Sequence, residues 1–535
     1  MGALSADNFK VTPNPLATQA GQVPVTIDGM FPEKYMKKKA VVTVIPELRY
    51  NGQTTQGQGA TFQGEKVEGN DQTISYQVGG HYTMKSNFKY VDDMHKSDLY
   101  LTFDAKVGKK SVNIPAVKVA EGIIATSELA RQTLKTSNPC IAPDAFQRVT
   151  AQKQEANVKF LIQQAELRKS ELKNNSVQEF VALLNKINNN QEKMALDNIE
   201  VSAYASPDGG VDLNDKLANK RQTNTEKYVN EQLKKAKMTS PVDAKYTAQD
   251  WEGFQELVKA SDIQDKDVIL RVLSMYKDPE QREQQIKNMS SAFRELADGI
   301  LPQLRRARMT INYDLIGRSD DQIKDQYNSD ATALSVEEML YAATLTDDAN
   351  EKESIYKKTT EVYPNDARAY NNIANIEMQK GDYETAKSYL NKALSVNSSL
   401  SEANANLGLI SLINGNTTEA ENYIAKAQGA NGLAEVLGNL NLMKGNYQQA
   451  VDNFGSEVNT NSSALAQILN KDYAVAGITL KNVKNADAIT DYLGAIRSAR
   501  MENFDKAKFL LSSAISKDPS LESYAKNDLE FSKLK

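Results

Sequence analysis

Apolar and polar positions alternate in short runs over the first 120 residues, whereas over the last 200 the apolar positions recur at helical spacing. Residues 40–45, 73–78 and 98–103 are apolar or alternating and rich in β-branched and aromatic side chains. Asn51-Gly52, Gly79-Gly80 and Gly108 separate them. Period-two alternation punctuated by turn residues predicts strands, so residues 21–120 are expected to form a β-sandwich. Residues 1–20 are polar and proline-bearing, which predicts an extended tether. About seven strands at roughly 8- to 12-residue spacing suit an immunoglobulin-like module, without its Cys…Trp…Cys hallmark. His81 and His95 are expected at the surface or at strand ends.

Helical periodicity takes over near residue 335. At an offset of 34, Gly381 falls on Gly415, Ala386 on Ala420, Leu390 on Ile424 and Ala393 on Ala427. A fixed offset of this size marks stacked helix pairs, and it is the tetratricopeptide period. Small residues at Ala374/Gly408 and Ala386/Ala420 allow close helix approach, and Gly381 and Gly415 suit helix ends that need positive φ. Gly445-Asn446-Tyr447, Ala450 and Phe454 form a third unit, and a shortened one surrounds Tyr473. Asn503-Phe504, Ala507, Leu511 and Ala514 form another, and a divergent unit leads the array near Tyr356. An all-α solenoid is therefore expected over residues 335–535. Asn371, Asn375, Asn404 and Ser411 are expected on its concave face, hydrogen-bonding the backbone of a partner protein.

The middle, residues 141–318, mixes the two periods. Strands are expected at 156–162, 199–204 and 307–313. One helix is expected with Phe180, Leu183, Leu184 and Ile187 on one face, and another over 213–235. The β-α-β-α-β order predicts helices on one face of a small sheet. A helical insertion over about 246–302 carries Trp251, Phe254 and Leu257. The turn Ala203-Tyr204-Ala205-Ser206-Pro207-Asp208-Gly209 followed by Asn214, Leu217 and Arg221 resembles the OmpA-like peptidoglycan-associated domain. Arg305-Arg306-Ala307-Arg308 resembles that family's closing arginine-rich segment, and the insertion resembles those of Bacteroidetes envelope proteins. The resemblance implies an α/β domain in which a turn carboxylate and a helix arginine grip the zwitterionic end of diaminopimelate. Arg221 keeps the arginine position, but Ser206 stands where the family has aspartate. A hydroxyl cannot supply the Coulomb attraction, so Asp208 is either a substitute or a solvated turn residue. Ser206, Asp208, Asn214 and Arg221 are the candidate peptidoglycan site.

Composition narrows the function. Lys+Arg 64 against Asp+Glu 69 leaves no field that would draw in nucleic acid. Two histidines and one cysteine give no material for a His/Cys metal site, and an internal disulfide is excluded. No nucleophile elbow, Walker loop or dinucleotide fingerprint occurs, so no catalytic residue, metal or cofactor is expected. Cys140 has no activating cation beside it in sequence and is expected to be an incidental thiol. The expected function is a non-enzymatic envelope scaffold that binds a partner protein through the solenoid. The alternatives are a peptidoglycan-binding anchor of the outer membrane and a cytosolic tetratricopeptide adaptor. The envelope reading places the protein in the periplasm or at the outer membrane of a diderm bacterium. Its expected corollary is a removed leader and membrane attachment through a lipid anchor outside this chain.

Overall fold

The protein is described from a computed structural model covering residues 1–534, apart from the side chains of residues 290–292. Lys535, at the end of the expected solenoid, lies outside the described residues. The chain divides into two units, Met1–Asp144 with Asp330–Lys535, and Ala145–Ser329.

In the first unit, the alternating strands Gln22–Phe31 and Gly80–Lys89 pair antiparallel. A larger sheet is built on the antiparallel pair Ala40–Tyr50 and Ser97–Val107. Val25, Ile27 and Phe88 of the first sheet share one core with Val42, Val44, Leu99 and Leu101 of the second. The N-terminus is not a tether. Phe9–Thr12 adds to the smaller sheet against Thr26–Gly29, and Leu4, Phe9, Val11 and Leu16 are buried in the core. The alternation of Phe9 and Val11 suffices for a short edge strand.

The solenoid opens with Val336–Ala342 and Ala349–Val362. Four of its later helix pairs are Ala367–Lys380 with Tyr383–Val396, Ser401–Ile413 with Thr417–Ile424, Leu433–Met443 with Tyr447–Phe454, and Ala488–Arg500 with Phe504–Lys517. The shortened unit is Asn461–Leu469 with Tyr473–Asn482. Gly381 and Gly415 take φ of 82° and 78°, ending their helices left-handed as the repeat alignment predicts. Glycine at 438 is required by packing, since a Cβ there would stand 2.7 Å from the Phe454 ring.

The sandwich docks on the end of this array. Thr126 Oγ1 donates to Glu530, and Glu530 also pairs with Arg500. His95 stands at a strand end, two residues before Ser97–Val107, which is one of its two expected positions, but it is buried rather than at the surface. Its ring meets Tyr524 edge-on at 5.1 Å and lies 2.9 Å from the Tyr90 hydroxyl. Nearby, the Tyr492 hydroxyl donates to buried Asp528 at 2.7 Å. Burial pushes the Asp528 carboxyl up to about 6, although the Glu530 amide and the Tyr492 hydroxyl pull it down. A carboxyl raised in the folded state holds its proton where the unfolded chain has lost it. Its contribution to stability therefore falls as pH rises from about 4 to 6. Asp528→Asn should match the parent at pH 4 and exceed it by about 3 kcal/mol at pH 7, as read by urea unfolding of the intact chain.

In the second unit, Val149–Lys159, Arg306–Ile316, Met194–Tyr204 and Val242–Thr247 form a four-stranded sheet in that order. Asn175–Asn189 and Val211–Lys235 pack on it through Phe180, Leu184, Val229 and Leu233. Val242–Thr247 is a strand that the pattern does not predict. It is a largely exposed edge with no apolar stripe to signal it, and the insertion therefore begins after it. The inserted helices close a small core of their own around Phe254, Ile269 and Leu296.

Candidate functional site

The two sets of candidate residues lie in different units. In the second unit, Arg221 is 1% exposed, and each of its guanidinium nitrogens donates to a backbone carbonyl. Nε reaches Gln164 O at 2.9 Å, Nη1 reaches Tyr204 O at 2.9 Å, and Nη2 reaches Leu161 O at 3.4 Å. Burial, and then the neighbouring Arg305, draw its pKa down to about 10. Ser206 Oγ donates to Asp208 Oδ1. Arg305 donates to Ser206 Oγ at 3.3 Å and to Asp208 Oδ2 at 2.8 Å. Asn214 Nδ2 holds the turn through Ser206 O and Gly209 O. The four residues do come together, but with partners from their own chain. The Asp208 carboxylate faces Arg305, and Arg221 stitches strand and loop ends to its helix.

In the first unit, the concave face of the solenoid is filled by the protein's own chain. After the short strand Ile123–Ile124, residues 126–144 run from the last helices of the array toward the first. They form a 3-10 turn at Thr126–Leu129, a short helix at Ala130–Leu134, and then extended chain. Leu129 and Ala130 join the core of the later repeats, and Leu134 and Cys140 join that of the earlier ones. Ser462 Oγ donates to Thr133 Oγ1 at 2.9 Å, and Asn439 Nδ2 to Ser137 Oγ at 3.1 Å.

The grip then passes to the backbone. Asn406 Oδ1 accepts the Cys140 N–H at 2.6 Å, and its Nδ2 donates to Cys140 O at 2.8 Å. Asn372 repeats this pair on Ala142, accepting its N–H at 2.9 Å and donating to its carbonyl at 3.0 Å. Asn371 donates to Cys140 O and Asn375 to Pro139 O, both at 3.0 Å. Extended chain presents alternate residues to one side. Cys140 and Ala142 accordingly face in, while Ile141 between them is exposed. Two adjacent repeats, through Asn372 and Asn406, thus read residues two apart through their main chain.

Asn371 and Asn375 hold an extended backbone as expected of them, but the backbone is intramolecular. Asn404 and Ser411 do not contribute. Asn404 donates to Leu400 O, and Ser411 to Leu407 O and Glu419, all within their own helix pair. The residues that were missed, Asn372 and Asn406, lie 34 apart in sequence. They occupy the same repeat position, and an amide recurring at one register on the inner helices was the available signal. Cys140 is buried, and burial, followed by the Glu435 and Glu402 carboxylates, pushes its thiol up to about 12.

A family model of the tetratricopeptide repeat matches residues 367–399. No curated protein matches the chain. Among solved structures, a tetratricopeptide repeat protein from Parabacteroides merdae is similar at 16% identity over 39% of this chain and 90% of its own, with a TM-score of 0.28. The APC/C hetero-tetramer Cut9-Hcn1 is similar at 15% identity over 61% of this chain and 76% of its own, with a TM-score of 0.31. Yeast Tom70 is similar at 12% identity, covering 58% and 72%, with a TM-score of 0.24. Residues 367–399, the helix pair that carries Asn371, Asn372 and Asn375, are a tetratricopeptide repeat.

Proposed function

We propose that this protein is a non-enzymatic cell-envelope scaffold that binds a partner protein on its solenoid, with residues 126–144 as a built-in ligand of the groove. The observation that carries the reading is the asparagine ladder, which recognises an extended main chain without regard to its side chains. Because the groove floor is taken, the partner meets a composite surface of threaded segment and groove rim, where Ile141 is 47% exposed. The envelope setting draws its support from the resemblance at residues 203–221 and from the packing of two helices on one face of the second unit's sheet. Peptidoglycan contact has less support, since Arg221 would have to leave three carbonyls to reach a ligand.

A photo-crosslinking residue placed at Ile141 in the native host should give a discrete protein adduct. The same residue at exposed Phe509, on the second helix of its pair, should give none. Absence of an adduct at 141 would overturn the reading.

A further inference from the structure

A cavity of about 310 Å3 opens beside the threaded segment at Thr136 and Asn138, walled by Glu435, Glu457, Asn459 and Asn461. Glu435 is 6% exposed and accepts two hydrogen bonds, both from Asn138. The backbone N–H reaches Oε1 at 2.9 Å and the side-chain amide reaches Oε2 at 3.0 Å. Among the described residues, no lysine or arginine lies within 4.0 Å of it. Two other buried glutamates of the array are paired with lysines, Glu353 with Lys357 and Lys380, and Glu377 with Lys380. Glu402 is also buried without a cation, but it accepts the Asn431 N–H and lies outside this cavity. Neutral donors leave the Coulomb cost of a buried carboxylate uncompensated. Burial accordingly pushes the Glu435 carboxyl up, against the two Asn138 bonds.

We propose that this cavity is the specificity pocket for a lysine or arginine side chain of the partner protein. The proposal deepens the adaptor reading and rests on it. Glu435 at the floor and Glu457 on the wall supply the opposite charge, and the amide oxygen of Asn459 is an acceptor for a remaining N–H group of an ammonium or guanidinium. Asn461 is fully buried and its Oδ1 already accepts the Thr490 hydroxyl, so it shapes the wall without offering an acceptor. Lys484 stands at the rim, exposed, where solvent screens it.

The test titrates the intact chain with Ac-Gly-Lys-Gly-NH2 and with its norleucine analogue, up to about 20 mM, by NMR or calorimetry. The lysine peptide should bind at least about tenfold more tightly than the norleucine peptide, and Glu435→Gln should remove that preference. Should Glu435→Gln disturb the fold, Glu457→Gln, on an exposed loop, should still lower lysine binding severalfold. No lysine binding, equal binding of the two peptides, or full lysine preference in both variants would overturn the pocket. If the adduct at Ile141 still forms in any of those cases, the adaptor reading stands and the pocket alone falls.

Discussion

Replacing Arg221 with methionine should destabilise residues 145–329 by about 3–5 kcal/mol, a loss in the class of a broken buried network of hydrogen bonds from a charged group. The guanidinium is 1% exposed, lies 5.0 Å over the Phe160 ring, and donates to Gln164, Tyr204 and Leu161 carbonyls. Methionine keeps the aliphatic stem but removes the charged donors to Gln164 O and Tyr204 O, while Leu161 O keeps the Gln164 N–H. Denaturant unfolding followed in that unit measures the effect. A stable Arg221→Met protein, altered only in ligand binding, would mean that the arginine serves a ligand instead of the fold.

The double substitution Asn371→Ala with Asn406→Ala should cost about 3–4 kcal/mol and free the segment around Cys140. Together the two side chains supply every hydrogen bond described for the Cys140 main chain, and Asn406 Nδ2 also donates to Asn371 Oδ1. Each bond is worth about 1 kcal/mol net, with more lost where a buried group is left unpaired. Since both amides share Cys140 O, the double loss should differ from the sum of the single ones. Hydrogen exchange at the Cys140 and Ala142 amides should rise sharply, while helices Phe504–Lys517 and Ala488–Arg500 keep their protection.

Much of the fold was legible because it is periodic. Gly381, Gly415 and Ala420 announced the helix pairs, and the alternation around Ala40–Tyr50 announced a sheet. What escaped was carried by weak or nonlocal signals. Val242–Thr247 lacks an apolar stripe, and the edge strand at Phe9–Thr12 is four residues long. Occupancy of the groove was illegible for another reason. Residues 126–144 have ordinary composition, and their place depends on contacts with side chains some 230 to 330 positions away, such as Asn372 and Ser462. In the second unit the turn and helix residues were found. That Arg305 would face Asp208, and that Arg221 would turn to three carbonyls, follows from chain paths that sequence spacing does not encode.

The chain's one cysteine lies in the threaded segment, so a thiol reagent reports directly on whether the groove is filled by its own chain. A free thiol ionises near 8.5, whereas burial and the neighbouring carboxylates hold the Cys140 thiol up at about 12. Labelling of Cys140 at pH 8 in the intact protein should be at least about a thousandfold slower than in a synthetic peptide of residues 126–144. It should accelerate at least about a hundredfold in the Asn371→Ala, Asn406→Ala protein. Labelling of the intact protein within about tenfold of the peptide rate would show that the segment does not occupy the groove.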